Sequence, residues 1–174
     1  MLSHHHIVRR VLPPAALAVG LLVVAARPAG AAPTVGSGPA HHDATTVNGE
    51  VPPGAVTTAT VTLLLEQRLG KGRIMYQFRG ERPPGTRAPI HTHPFGGATC
   101  VLQGESVLRI EGVPGSRTNG VGQCFFMPAG PAMVNFSSGT EPLVTLETFV
   151  VPKRVDIWKV VEPDALAVSG QFGP

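Results

Sequence analysis

GTRAPIHTHPFGGATCVLQG, residues 85–104, carries His91 and His93, the two histidines that lie beyond the first 42 residues of the chain. The segment around them reads as strand. Strand side chains alternate between faces, so residues two apart share one. Both imidazoles are then expected to look into one space, where they could share a metal ion, since neutral imidazole is a common ligand of transition metals. The rest of the chain is read for what would complete that pair.

Outward from this stretch, short β-branched and aromatic runs alternate with turns bearing Gly and Pro, and no helical period competes with them. The pattern predicts strands over 56–66, 74–78, 90–93, 98–102, 106–111, 123–127, 133–136 and 143–151. Leu69-Gly70-Lys71-Gly72 is expected to turn the chain, and residues 80–88 read as a turn-rich connection. So many short strands within about 100 residues predict an all-β fold, a sandwich or barrel of the jelly-roll kind. The late segment 154–161, with Trp158, is expected to add an edge strand or to pack on the barrel. Composition agrees: 21 Gly and 18 Pro in 174 residues, with only 14% charged, suit one turn-rich β domain plus accessory segments.

The accessory segments flank that domain, expected over 56–161. Arg9 and Arg10 precede an apolar run over 11–26, and Ala29-Gly30-Ala31 follows as a small-residue exit. This is the pattern of a secretory signal peptide over 1–31, and the run is shorter than the roughly 20 residues a membrane span needs. The expected location is therefore secreted or periplasmic, with no membrane span once the leader is removed. His4, His5 and His6 would leave with it. Residues 32–55 mix Pro, Gly, Ser, Thr and Ala without a hydrophobic period and read as a flexible linker, in which His41 and His42 are solvated. Residues 162–174 form a short C-terminal tail. Three of the 14 Lys and Arg (Arg9, Arg10 and Arg27) lie in the leader, leaving 11 against 11 Asp and Glu. A chain so balanced has no basic footprint for nucleic acid.

Two segments resemble the motifs of the cupin superfamily. Gly85-(x5)-His91-x-His93-(x10)-Gly104 is similar to the first, G-(x)5-H-x-H-(x)3,4-E-(x)6-G. Gly122-(x5)-Pro128-x-Gly130 is similar to the second, G-(x)5-P-x-G-(x)2-H-(x)3-N. The resemblance covers residues 56–161 and implies a cupin-type jelly-roll β-barrel. In the family two His and a Glu from the first motif and a His from the second bind a divalent metal. Here Gly97 stands at the Glu position, Met133 at the second-motif His and Ser137 at the Asn.

A tight metal site ordinarily wants three protein ligands or more. His91 and His93 supply two, and candidates for a third are Met133 and Glu147. A thioether from Met133 would favour copper, although methionine is more often core filler. Gln77, Asn135 and Glu147 all lie on expected strands. For Glu147 ordinary alternation, with the carboxylate outward, is the favoured reading; an inward Glu147 would be a third ligand or a base. The cofactor is thus a divalent transition metal, copper, or none.

Cys100 and Cys124 are the chain's two cysteines. The resemblance places them on neighbouring antiparallel strands, which implies a cross-strand disulfide closing a loop of about 25 residues and worth roughly 3 kcal/mol; free buried thiols are the alternative. Three functions follow. The leading one is an exported cupin-domain protein that binds a small molecule in its barrel, with a degenerate or weak metal site. The second is a metal-dependent oxygenase or isomerase built on His91 and His93. The third is a structural module that pairs as a homodimer through edge strands.

Overall fold

Two ten-residue strands joined at Gly70–Gly72 form a long hairpin, and alternation sets the inner face of its second strand. The computed structural model describes residues 44–57 and 59–165. The leader expected over 1–31, His41 and His42, and the tail beyond 165 lie outside the described residues. Twelve strands run through the described residues: β1 (Ala55–Val56), β2 (Thr60–Leu69), β3 (Arg73–Arg82), β4 (Thr86–Arg87), β5 (His91–Thr92), β6 (Gly97–Gln103), β7 (Ser106–Ile110), β8 (Arg117–Asn119), β9 (Cys124–Met127), β10 (Met133–Ser137), β11 (Leu143–Pro152) and β12 (Lys159–Val160).

They form two sheets. The first runs β2-β3-β11-β6-β9, antiparallel throughout. The second is centred on β10, which pairs β7 on one side and β4 and β5 on the other, with β8, β1 and β12 completing it. The inner faces share one apolar core: Ile74, Tyr76, Val101, Phe125, Met127, Phe149 and Val151 from the first sheet meet Leu108 and Met133 from the second, with Ile157 from the segment after β11. Burial alternates along β6 and β9, as in a sheet with one wet face, whereas consecutive residues of β7 and β10 are buried. Along β3 the buried positions are Ile74, Tyr76, Gly80 and Arg82, with Phe78 between them on the same face.

Two differences from the sequence reading bear on the site. Residues 80–82, expected in a turn, continue β3 and pair with residues 143–145 of β11. Second, the stretch expected as a flexible linker packs on the barrel from residue 44. Ala44 and Val47 are buried with Ile90, Ala132, Val134 and Val161, and the Ala44 N–H donates to the Val161 carbonyl at 2.7 Å. The late segment behaves as expected: β12 adds to the free edge of β5, with Val160 opposite His91. Turn glycines take the positive φ that a Cβ resists. Gly104 (φ 73°) is the clearest, since a Cβ there would stand 2.7 Å from the Pro142 carbonyl oxygen.

Candidate functional site

His91 and His93 project to the same side, as their spacing predicts, and both line a cavity of about 80 Å³ between the sheets. They are 5% and 3% exposed. Each ring is fixed at Nδ1, which lies 2.7 Å from the Pro89 carbonyl oxygen in His91 and 2.9 Å from the Ile157 carbonyl oxygen in His93. A carbonyl only accepts, so both rings carry their proton on Nδ1 and present Nε2 as a bare lone pair. The His93 Nε2 is fully buried and meets no hydrogen-bond partner among the described residues. The two rings meet edge to face at 4.9 Å, His91 meets the Trp158 ring at 4.8 Å, and His93 stacks on Phe149 at 5.2 Å.

This packing keeps both imidazoles neutral. Burial, then the neighbouring His93, pushes the His91 imidazole down to about 3, against the weaker pull of its Pro89 hydrogen bond. Burial also lowers His93 from its ordinary value, with the Ile157 hydrogen bond opposing. A neutral, tautomer-locked pair accepts hydrogen bonds or ligates metal, and does not act as a pair of cations.

The opposite wall comes from β3 and β11, and it corrects the reading of Glu147. That side chain points inward with Leu143, Thr145 and Phe149 and lines the cavity. Its Oε1 accepts a hydrogen bond from Thr145 Oγ1 at 3.1 Å. Burial raises the Glu147 carboxyl above its ordinary value, with Thr145 and the charge of Arg82 pulling the other way. Room for it is made by Gly80, where a Cβ would come within 2.8 Å of Thr145 Oγ1 and 3.3 Å of Glu147 Oε1. Arg82, missed in the sequence because Gly80 reads as the start of a turn, also lines the cavity. Asn135 lines it too, its Oδ1 taken by Ser106 at 2.8 Å. Gln77 lies off this wall, and its amide donates to Thr148 Oγ1 at 3.3 Å. The remaining walls are apolar: Phe78, Met127, Phe149, Ile157 and Trp158.

The residues present do not fit the metal centre of the cupin motifs. A side chain at position 97 has nowhere to go, because a Cβ there would stand 2.4 Å from two carbons of the Phe149 ring. Phe149 thus fills the space of the missing carboxylate. Met133, directly across the strand pair from His91, is fully buried in the apolar core and is not among the cavity-lining residues. It does not present the thioether to the cavity as a third ligand would. Among the described residues no three His, Cys, Asp or Glu side chains gather closely enough to hold a metal ion. Glu147 shares the cavity with the histidines without joining them in such a cluster.

Cys100 and Cys124 form a disulfide directly across the β6–β9 pair, with Cα atoms 4.0 Å apart. The bond lies on the outer face, since Thr99 and Val101 point inward on either side of Cys100. It braces the strand pair without entering the cavity.

No family model matches the sequence, and no curated protein matches it. Solved structures do. The chain is similar to the DMSP lyase DddQ from Ruegeria pomeroyi DSS-3, at 21% identity and a TM-score of 0.51, over 62% of this chain and 53% of that one. It therefore spans about half the length of that lyase. It is also similar to an RmlC-like cupin family protein with a double-stranded β-helix fold from Methanocaldococcus jannaschii (16% identity, TM-score 0.46, covering 56% of this chain and 83% of that one). A conserved protein with a double-stranded β-helix domain from Klebsiella pneumoniae is similar at 21% identity (TM-score 0.47, covering 60% and 85%). Strand order, the paired motifs and the likeness to DddQ define the class: the protein has the cupin fold, a jelly-roll barrel of the double-stranded β-helix type. Within that fold it departs from the cupin motifs at Gly97 and Met133, where two ligands would stand.

Proposed function

We propose that the protein is an exported cupin-type barrel that holds a small molecule between its sheets, with His91 and His93 as hydrogen-bond acceptors rather than as part of a tight metal shell. The observation that carries this reading is the cavity itself. It is apolar over most of its wall, with a few convergent polar groups, which is the usual make-up of a small-molecule site. Both imidazoles are held with Nε2 bare, so a bound molecule with an O–H or N–H would satisfy a lone pair that is now buried and unpartnered. Export is supported by the signal-peptide pattern over 1–31 and by the disulfide, a bond that oxidising compartments maintain.

The test is metal analysis of protein purified from an exported fraction, alongside the His91→Ala/His93→Ala double variant. The expected result is a metal content well below one per chain in both. One equivalent of metal, lost in the double variant, would overturn the reading and favour a metal-dependent oxygenase or isomerase.

A further inference from the structure

Arg82 is the one cationic side chain that faces the cavity, and it has no ion-pair partner among the described residues. It is 9% exposed, and its Nη1 donates to the Thr57 carbonyl at 2.5 Å. None of the ion pairs of the described residues includes it. The second buried arginine of the barrel shows how this chain treats a structural guanidinium. Arg87 is held by both oxygens of Glu162, at 2.7 and 2.6 Å, and that carboxylate also accepts from the Ile90 N–H at 2.8 Å. A buried guanidinium outside any ion pair is costly and does not shed its proton to escape that cost; the Glu147 carboxyl acts on it through its charge from the same wall without closing an ion pair. Burial lowers the Arg82 guanidinium only to about 10, with Glu147 opposing, so it stays a cation at neutral pH.

We propose that the cavity is a site for a short-chain monocarboxylate, its carboxylate paired with Arg82 and its hydrocarbon end against Phe149, Ile157 and Trp158. This rests on the small-molecule reading above and names the class of molecule. Arginine presents its donors in a planar fork that matches two carboxylate oxygens, and one such pair supplies both charge and direction. Size sets the second limit. A cavity of about 80 Å³ lies well below the roughly 300–1,000 Å³ of sites for drug-sized ligands, which favours a short chain such as propionate. Charge sets the third. The titratable and charged groups on the cavity wall are Arg82 and Glu81 from β3, His91 and His93 from β5 and just after it, and Glu147 from β11. Both histidines are neutral and Glu81 is paired with Arg79 at 2.9 Å, so a second carboxylate on the ligand would meet Glu147 with no cation left to match it.

The experiment titrates propionate, propionamide and inorganic phosphate into the full exported chain, by calorimetry and by the emission of Trp158, the single tryptophan, which touches His91. Propionate is expected to bind saturably at one site, with propionamide roughly tenfold weaker or more, the worth of a charge-assisted hydrogen bond. Phosphate, which has no hydrocarbon end, is expected to be weaker than propionate. Arg82→Gln should bring propionate down to the affinity of propionamide, and Arg82→Lys should restore part of the difference. The three-ligand comparison on the unaltered chain stands on its own if Arg82→Gln does not fold. Propionamide binding as tightly as propionate, or phosphate binding more tightly, would overturn the monocarboxylate assignment and leave the small-molecule reading in place. Saturable binding of none of the three would overturn the assignment as well. Stoichiometric metal in the preparation would instead overturn the reading beneath it.

Discussion

Acidification from pH 7 to pH 5 should destabilise the barrel through His91, although no residue of the core changes. In the folded chain His91 titrates at about 3, against an ordinary value of 6.5 in the unfolded chain. Between those values the unfolded state holds a proton that the folded state lacks. Stability from this group is therefore whole above 6.5 and falls as the pH drops through the window toward 3, with a slope approaching 1.4 kcal/mol per pH unit. Integrated from pH 7 to pH 5, the loss is about 2 kcal/mol. His93, lowered by burial, acts with the same sign. Glu147 acts with the opposite sign. Its carboxyl is raised in the folded state, so on acidification the folded chain takes up that proton before the unfolded chain does and gains stability. The total slope is thus a sum of opposed contributions, and the informative quantity is a difference between variants. His91→Gln keeps an amide that can donate to the Pro89 carbonyl and removes the titration. Guanidinium unfolding of both proteins at pH 7, 6 and 5, with the disulfide intact, should show the unaltered chain losing about 2 kcal/mol more than the variant over that range. Parallel curves would refute the reasoning. A loss greater in the variant would mean that His91 is charged in the folded barrel and is held by Glu147.

Two further outcomes follow from the same packing. Gly97→Ala should cost roughly 1–3 kcal/mol in guanidinium unfolding, because its Cβ would stand 2.4 Å from the Phe149 ring, and the cost should vanish in a Phe149→Ala background; an equal loss in both backgrounds would place the cause elsewhere. Cys100→Ser/Cys124→Ser should lower stability by about 3 kcal/mol, the chain entropy of a loop of about 25 residues, with no change in ligand affinity because the bond lies on the outer face; a change in affinity at unchanged stability would show that the strand pair shapes the cavity.

The barrel was legible in the sequence because its punctuation is local. Glycines at 72, 104 and 122 all take positive φ, a conformation the chain advertises one residue at a time, and the runs between them alternate with period two. The histidine pair was legible for the same reason, since spacing alone puts His91 and His93 on one face. The far wall of the cavity was not. Gly80 carries the usual mark of a turn, yet here it lies inside β3 and vacates volume for a side chain on β11, a relation between residues 67 positions apart that no local pattern contains. Reading a turn there hid Arg82, although Ile74, Tyr76, Phe78, Gly80 and Arg82 keep strict alternation and the period would have placed it inward. Glu147 failed in the other direction. Alternation in an apolar strand leaves both faces open to a carboxylate until the partner strands show which one is covered.

Phe149 and Glu147 account for each other. They stand two residues apart on the inner face of β11, opposite β6, whose Gly97 holds the position of a cupin-motif carboxylate. A side chain at 97 and the ring at 149 cannot share that volume, so the ring in place removes the carboxylate from β6 and sets an aromatic face on His93. On β11, two residues before the ring, Glu147 brings a carboxylate into the cavity, seated in the gap at Gly80 and held by Thr145. The shift changes what the group does. On β6 a glutamate would stand with the histidines as a third donor; on β11 Glu147 shares its wall with Arg82, and the two imidazoles are left with each other, with Phe149 and with Trp158. A cation and a carboxyl on one wall, two bare acceptors on the other and an apolar floor are the arrangement on which the proposed small-molecule reading rests.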